Sequence, residues 1–266
     1  PAKDVVKSLL LHKNLEARKQ NFQRMLHKNV RCSREYNRDN ISEANNEYDT
    51  FLVGSDIVWG LNITGNDFTY MLDFASPEKK KSFSSSVGTK WDEDKATEVR
   101  KLLSRFDLIS VRERDAAMWI SELTGKNVNV TCDPTMLWNE NFWRGFVSND
   151  VEPKEKYVLV YMSDPENKCI RSAIEYGKAH KIPVYYINYR APVIGTKDCR
   201  PTSLEMWLQL FQYAEVVFSA SYHGLLFSMY FHKQVFYFNW TNKSRMNALS
   251  KTLGIEKREG LSENVK

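Results

Sequence analysis

The sequence predicts an α/β protein built from two doubly wound lobes, each with a parallel sheet. Short apolar segments bounded by turn residues alternate along the chain with helical segments of about ten residues, the pattern of βαβ units. The chain has 266 residues, 42% hydrophobic and 27% charged, which is enough to bury a core in each lobe. No stretch approaches the roughly 18 consecutive apolar residues of a membrane span.

The first half of the chain is predicted to form an N-terminal Rossmann-like lobe over residues 1–140. Its first element is a helix over 3–29, rich in helix-forming residues. Strands are then predicted over 48–54, 80–87, 107–111 and 127–132, and helices over 92–105 and 114–123. Because the chain begins at Pro1 without a methionine, we expect part of this lobe to lie outside the sequence.

The second half repeats the alternation. A polar, turn-rich segment over 141–156 is predicted to be the linker, 157–245 a C-terminal Rossmann-like lobe, and 246–266 a helix and tail. Within the lobe, strands are predicted over 157–162, 183–188, 216–219 and 235–238, and helices over 167–180, 203–213 and 223–231. Two doubly wound lobes around a cleft are the predicted architecture.

Charge and cysteine usage limit the possible partners and compartments. The net charge is +5, most of it attributable to solvated faces, although a basic protein also suits anionic substrates or a membrane surface. The sequence has no nucleic-acid recognition motif, and we expect no nucleic-acid partner. The four cysteines are far apart without a CxxC pair, which predicts neither a zinc site nor a disulfide framework and favours the cytoplasm. Oligomeric state is not predicted.

Polar residues directly after predicted strands are the candidate site residues, because open α/β sheets bind ligands beyond the carboxyl ends of their strands. Five segments of this kind occur: 54–56, 84–88, 112–113, 133–134 and 219–224. No Walker loop, GxGxxG or HExxH is present, so nucleotide-dependent phosphoryl transfer, dinucleotide chemistry and zinc hydrolysis lose their usual support.

The most informative segment runs from a strand through Ser221 and His223-Gly224 into an apolar helix. It places an imidazole at a helix N-terminus, where anions are favoured and where histidine can act as a general acid or base. The alternative is that His223 only packs and that Ser221 only caps the helix.

Three charged residues in the first half are further candidates. Arg112, at a strand end, can grip a carboxylate or phosphate with its guanidinium, or it can form a salt bridge with Glu113, Asp115 or Asp133. Asp56 can orient a sugar hydroxyl or act as a base, or it can stabilise a turn. Asp133 precedes a proline, where a carboxylate readily closes a turn.

Taken in order, these segments resemble the polysaccharide pyruvyl transferase family. The resemblance rests on five motifs spanning residues 48–238: Phe51-Leu52-Val53-Gly54-Ser55-Asp56-x-x-Trp59, Lys81-Ser82-Phe83-Ser84-Ser85-Ser86-Val87-Gly88, Ser110-Val111-Arg112-Glu113, Cys132-Asp133-Pro134-Thr135 and Ser219-x-Ser221-x-His223-Gly224-x-x-Phe227-Ser228. Each motif is short, and their common order carries the resemblance.

The resemblance implies a GT-B-like fold and a bacterial enzyme of exopolysaccharide biosynthesis. Such an enzyme transfers pyruvate from phosphoenolpyruvate to a sugar or lipid-linked oligosaccharide as a ketal, without cofactor or metal, in the cytoplasm or at the cytoplasmic face of the membrane. His223 and Asp56 are the implied catalytic residues. The implied donor-binding residues are Arg112, Ser221, Gly224 and Ser86, and the implied supporting residues are Ser55, Glu113 and Asp133.

Two departures from the family pattern leave alternatives open. Better-studied pyruvyl transferases carry an arginine where this chain has Ser221, so another arginine would have to supply that donor contact, with Arg190, Arg200 and Arg245 as candidates. The family's first strand would precede residue 1. A GT-B-like glycosyltransferase using a nucleotide sugar, or a non-catalytic carbohydrate-binding subunit of polysaccharide assembly, are the alternative functions, and the acceptor sugar is not predicted.

Overall fold

The computed structural model describes residues 2–147, 155–164, 166–239 and 243–260. The described helices are α1 (Ala2–Asn29), α2 (Ala44–Glu47), α3 (Leu61–Thr64), α4 (Glu93–Leu103), α5 (Arg114–Thr124), α6 (Glu140–Arg144), α7 (Lys168–His180), α8 (Leu204–Tyr213), α9 (Tyr222–Tyr230) and α10 (Lys243–Leu253). The strands are β1 (Phe51–Val53), β2 (Lys80–Ser82), β3 (Ser110–Val111), β4 (Asn129–Val130), β5 (Val158–Tyr161), β6 (Val184–Ile187), β7 (Lys197–Cys199), β8 (Val216–Ser219) and β9 (Gln234–Tyr237).

The chain divides into two compact units. Unit 1 comprises Pro1–Cys32 and Trp138–Lys266, and unit 2 comprises Ser33–Leu137. The predicted N-terminal lobe over 1–140 therefore differs from unit 2 at its start, because α1 belongs to unit 1. Asn21 on α1 donates a side-chain hydrogen bond to the Thr202 carbonyl oxygen at 3.2 Å. The Arg18 guanidinium lies 4.8 Å from the centre of the Tyr189 ring.

The predicted linker and tail are partly structured. Helix α6 overlaps the start of the linker predicted over 141–156, and Trp143 on α6 packs edge-on against Phe227 with the ring centres 5.0 Å apart. This part of the predicted linker belongs to the core of unit 1 because its tryptophan is buried. Residues 148–154 of the linker and 261–266 of the predicted tail lie outside the described residues.

Unit 1 contains a five-stranded parallel sheet with the order β7-β6-β5-β8-β9. The two central strands, VLVY in β5 and VVFS in β8, are almost entirely buried. Continuous apolar runs are typical of parallel strands that are covered on both faces. Helices α7, α8 and α9 separate the strands from β5 to β9, except that β7 directly follows β6, and the all-parallel sheet confirms the predicted α/β class for this unit.

Unit 2 contains two short parallel pairs, β1 with β2 and β3 with β4. Isolated bridges from Lys81 to Leu108 and from Ser85 to Val111 join the two pairs. A buried core around Trp59 and Phe106 lies against α4 and α5. The predicted strand over 80–87 ends at Ser82, because Ser84 adopts a left-handed backbone conformation with φ of 54°.

Among the described residues, no helix is both long enough and apolar enough to cross a membrane.

Candidate functional site

The order of strands in unit 1 creates a switch point between β5 and β8. The chain leaves β5 for β6 and β7 on one side, and it then returns to place β8 and β9 on the other side. Where the direction of winding reverses, the connecting segments diverge and leave a crevice beyond the carboxyl ends of the two strands. The predicted site segment 219–224 begins at the last residue of β8, so it lies at this switch point.

Hydrogen bonds hold the segment after β8 in place. The Ser219 hydroxyl donates to the Tyr161 carbonyl oxygen at the end of β5, at 2.7 Å, and accepts from the Ser221 backbone N–H at 3.1 Å. The Ser221 hydroxyl accepts from the Gly224 backbone N–H at 3.4 Å and caps α9. Capping, the alternative role considered for Ser221, is therefore present in the structure. Its predicted contact with an anionic donor stays a prediction.

Gly224 is required by close packing. A Cβ atom at this position would lie 2.1 Å from the Ser219 hydroxyl oxygen and 2.9 Å from the Tyr161 ring. Only glycine allows the first turn of α9 to approach the ends of β5 and β8 this closely. Its predicted role in anion binding is untested, and its N–H is already used by the Ser221 cap.

His223 lies in the first turn of α9 and is partly exposed. Its ring packs edge-on against Tyr222, with the ring centres 5.3 Å apart. The first N–H groups of a helix have no acceptor within the helix, and the helix dipole adds partial positive charge at this end. The imidazole is therefore placed where a bound anion would be stabilised and where a proton could be exchanged with it.

Arg245 is an additional cation beside this helix end. Its guanidinium carbon lies 5.3 Å from the centre of the Tyr222 ring, within the range of a cation–π contact. Arg200, another of the three candidate arginines, is instead paired with Asp198 at 2.9 Å. The sequence did not distinguish among these arginines, because their positions depend on how the loops and α10 pack.

In unit 2, the predicted residues Asp56, Arg112 and Asp133 form one ionic cluster. Arg112 Nη1 lies 2.7 Å from Asp133 Oδ2 and 3.1 Å from Asp56 Oδ1. The side chains of Arg112 and Asp133 are 4% and 1% exposed, whereas that of Asp56 is 40% exposed. Of the salt-bridge partners that the sequence suggested for Arg112, Asp133 is therefore one that the structure shows. Asp56 is the residue of this cluster that reaches solvent.

Asp133 also closes the turn that the sequence suggested. Its Oδ1 accepts hydrogen bonds from the Thr135 backbone N–H at 2.9 Å and from the Thr135 hydroxyl at 2.5 Å. The carboxylate is thereby fixed on two sides, and it in turn fixes the Arg112 guanidinium. Two carboxylates offset the positive charge of Arg112, so an incoming anion would have to compete with Asp56 for this guanidinium.

Buried serines tie the strand ends of unit 2 together. The Ser84 hydroxyl donates to the Cys132 carbonyl oxygen at 2.7 Å, and the Ser85 hydroxyl donates to the Val53 carbonyl oxygen at 3.0 Å. The Ser86 hydroxyl donates to the buried Glu113 carboxylate. The predicted residues Ser86 and Glu113 thus contact each other.

Close backbone approach explains the first motif of unit 2. A Cβ atom on Gly54 would lie 1.9 Å from the Phe83 carbonyl oxygen. The next residue, Ser55, is exposed and accepts the Ser86 backbone N–H with its carbonyl oxygen at 3.2 Å. The motif 54–56 therefore packs against the serine run and presents Asp56 at the carboxyl end of β1.

Comparisons with known proteins are consistent with this arrangement. The family model for polysaccharide pyruvyl transferase matches residues 4–242. No curated protein matches the chain. A solved structure described as a UDP-N-acetylglucosamine 2-epimerase from Listeria monocytogenes is 12% identical, with a TM-score of 0.54, over 82% of this chain and 69% of that chain. A UDP-N-acetylglucosamine 2-epimerase from Rickettsia bellii is 9% identical, with a TM-score of 0.48, over 80% and 67%.

The similarity to the Listeria structure concerns the fold, because the sequences have little in common at 12% identity. It confirms the predicted GT-B-like class with Rossmann-like lobes. Among the side chains that the structure describes, no group of three or more His, Cys, Asp or Glu residues is arranged to hold a metal ion.

Proposed function

This chain belongs to the polysaccharide pyruvyl transferase family, and on that premise we propose that it transfers a pyruvyl group from phosphoenolpyruvate to a sugar of a polysaccharide. The observation that carries the proposal is the position of His223, in the first turn of α9 at the switch point between β5 and β8. A helix N-terminus at such a crevice suits an anionic donor. The imidazole beside it suits proton transfer.

The proposed donor carries a phosphate and a carboxylate. We assign these negative charges to the N-terminus of α9 and to Arg245, whose guanidinium lies over the neighbouring Tyr222. In this assignment, Arg245 provides the donor contact that better-studied pyruvyl transferases make with an arginine at the position of Ser221. Direct donor binding by Arg112 is the less favoured assignment, because Asp133 and Asp56 already contact its guanidinium.

The proposed reaction moves two protons from sugar hydroxyls, one to the methylene carbon of the donor and one to the departing phosphate. A sugar hydroxyl attacks the enol carbon of phosphoenolpyruvate and loses its proton, while the methylene carbon gains a proton and becomes a methyl group. The bond from the attacked enol carbon to the phosphate oxygen then breaks, and phosphate leaves and takes up a proton. A second hydroxyl of the same sugar bonds to the carbon, loses its proton and closes the ketal.

We assign proton transfer near the donor to His223 and acceptance of a hydroxyl proton to Asp56. Asp56 is the exposed carboxylate of its cluster, and Arg112 holds it in position at 3.1 Å. A carboxylate held in this way can orient a sugar hydroxyl and remove its proton. The proposed acceptor is a sugar or a lipid-linked oligosaccharide, and the proposed location is the cytoplasm or the cytoplasmic face of the membrane.

A titration with phosphoenolpyruvate tests the donor. Calorimetry should show saturable binding to the wild type, weakened about tenfold or more in Arg245→Ala because a charge-assisted contact is lost. His232→Ala is the control, since His232 follows the opposite end of α9 and pairs with Glu140. Unchanged affinity in His223→Ala with lost transfer would assign proton transfer to His223, and weakened affinity would assign it to donor binding.

Failure of the folded wild type to bind phosphoenolpyruvate would overturn the proposal. Binding of a UDP-sugar instead would support the alternative of a GT-B-like glycosyltransferase. Binding of glycans without turnover of any donor would support a carbohydrate-binding subunit.

A further inference from the structure

Unit 2 contains a pocket of about 360 Å³ that is separate from the Asp56–Arg112–Asp133 cluster. Two chain segments line it, 61–66 after β1 and 89–95 after β2. Both segments follow parallel strands in the chain, β1 and β2 respectively. The volume falls within the range of about 300–1,000 Å³ that is typical of small-molecule sites.

Several polar side chains of the pocket form no hydrogen bond within the described part of the chain. Among the described residues, the side chains of Asn62, Asn66, Thr89 and Asp92 form no hydrogen bond with another group of the chain. Asp92 is notable because it occupies the N-cap position of α4 and yet its carboxylate accepts no capping hydrogen bond. Aspartate at an N-cap normally accepts one from the helix backbone, so here the exposed carboxylate faces solvent and is accessible to a ligand.

An aromatic side chain forms a fixed wall of the same pocket. The indole N–H of Trp91 donates to the Trp59 carbonyl oxygen at 2.7 Å. Trp91 is half-buried and packs against the core of unit 2, so its orientation is set by the fold. A rigid aromatic side chain beside amides, a hydroxyl and a carboxylate provides apolar contact for the C–H face of a sugar ring and hydrogen-bond partners for its hydroxyls.

The lysines of the pocket are already near carboxylates. Lys90 lies 3.7 Å from Glu122, and Lys95 lies 3.3 Å from Asp94. Their charges are therefore partly compensated, and the pocket has no concentrated positive charge of the kind that a phosphate site needs. Neutral hydroxyl groups match its chemistry better than an anionic group does.

We propose that this pocket is a subsite for a pyranose ring of the acceptor glycan. That the bound sugar is the acceptor rests on the proposed function. Sugar binding itself does not depend on the donor. Asp92 and the two asparagines would bind ring hydroxyls, and Trp91 would contact the apolar face of the ring.

A glycan array and a titration test the proposal. The full chain is applied to an array of mono- to tetrasaccharides that contains hexoses, hexosamines, deoxyhexoses and uronic acids, in the absence of phosphoenolpyruvate. The strongest binder is then titrated against Asn62→Ala and Asp92→Asn. Each variant should weaken binding about tenfold, because each removes hydrogen bonds to the sugar.

Matched controls lie beside each position. Ile63→Ala changes an exposed residue of the same short helix as Asn62, and Glu93→Gln changes the exposed carboxylate next to Asp92. Neither control residue lines the pocket, so both controls should bind the glycan as the wild type does. Circular dichroism and thermal unfolding confirm that all four variants are folded.

Two results would overturn the subsite. One is an array without any binder for the folded protein, and the other is a binder whose affinity is the same in both pocket variants as in the controls. Failure of the donor titration with retained, pocket-dependent glycan binding would remove the proposed function and leave the subsite standing. Donor binding without any glycan binding would remove the subsite and leave the proposed donor standing.

Discussion

Lys80 is fully buried in unit 2, and replacing it with methionine should stabilise the protein. Among the described residues, its ammonium nitrogen has no hydrogen-bond partner and lies 5.9 Å from the centre of the Phe106 ring. Burial, together with the nearby positive charge of Arg105, lowers the pKa of Lys80 to about 8, although the Asp73 carboxylate acts in the opposite direction. Keeping this charge in the folded state therefore lowers the free energy of unfolding.

The size of the penalty follows from the pKa. A pKa of about 8 in the folded chain, against an ordinary value of 10.5, corresponds to about 3 kcal/mol at pH 7. Methionine has a similar length, no charge and a favourable sulfur contact with aromatic rings. Lys80→Met should therefore raise the free energy of unfolding by about 3 kcal/mol at pH 7.

The stability gain from Lys80→Met should decrease as the pH rises. Between pH 8 and 10.5 the unfolded chain keeps the Lys80 proton and the folded chain loses it, so wild-type stability rises with pH relative to the variant. The advantage of Lys80→Met should shrink by about 2 kcal/mol between pH 7 and pH 9.5. Urea unfolding followed by tryptophan fluorescence at both pH values measures this difference.

Lys81→Met is the matched control, because Lys81 is a partly exposed neighbour whose only described ionic partner, Asp107, lies 3.8 Å away. We expect it to change stability by less than about 0.5 kcal/mol. A lower stability of Lys80→Met than of the wild type at pH 7 would contradict a penalty for the buried charge. An equal gain in stability at pH 7 and pH 9.5 would contradict it as well.

Three further predictions concern stability. Gly224→Ala should destabilise unit 1 by about 1–3 kcal/mol, since its Cβ would meet a serine hydroxyl oxygen at 2.1 Å, whereas Gly145→Ala should have little effect in the same thermal unfolding assay. Arg112→Met should cost about 3–5 kcal/mol because it removes the cation 2.7 Å from the buried Asp133 carboxylate, and adding Asp133→Asn should recover much of the loss in urea unfolding. Burial raises the pKa of Asp164, but backbone N–H groups at the start of α7 outweigh it, so the pKa is lowered. Asp164→Asn should therefore lose about 1 kcal/mol at pH 7, the usual effect of losing charge-assisted bonds from a helix start. This deficit should begin to shrink as the pH falls below 3.8 and disappear below the lowered pKa of the folded chain, as comparison of the two melting curves will show.

The local elements of the second half could be predicted closely from the sequence. Strand β8 has the predicted bounds, 216–219, and α9 begins one residue earlier than predicted. A continuous apolar run, a serine in the N-cap position and a long apolar helix provide strong local signals. Strand β7 was not predicted, because Lys197–Cys199 is a short polar segment at the sheet edge.

Features that depend on tertiary packing could not be predicted. The helix predicted over 3–29 is present as Ala2–Asn29, but its assignment to unit 1 depends on contacts such as that between Asn21 and Thr202, which are 181 residues apart. The switch point depends on strand order, which the sequence does not state. The choice of Asp133 from among the three possible salt-bridge partners of Arg112 likewise required the structure.

The most direct test of the proposed function is the fate of the donor carbon. The full chain is incubated with ¹³C-labelled phosphoenolpyruvate and the glycans of the array, and the products are followed by NMR and phosphate release. Our account predicts a labelled ketal carbon bonded to a sugar, with one phosphate released for each ketal, and loss of both in His223→Ala. Unchanged phosphoenolpyruvate, in a mixture where the same protein consumes a UDP-sugar and extends the same glycans, would contradict it.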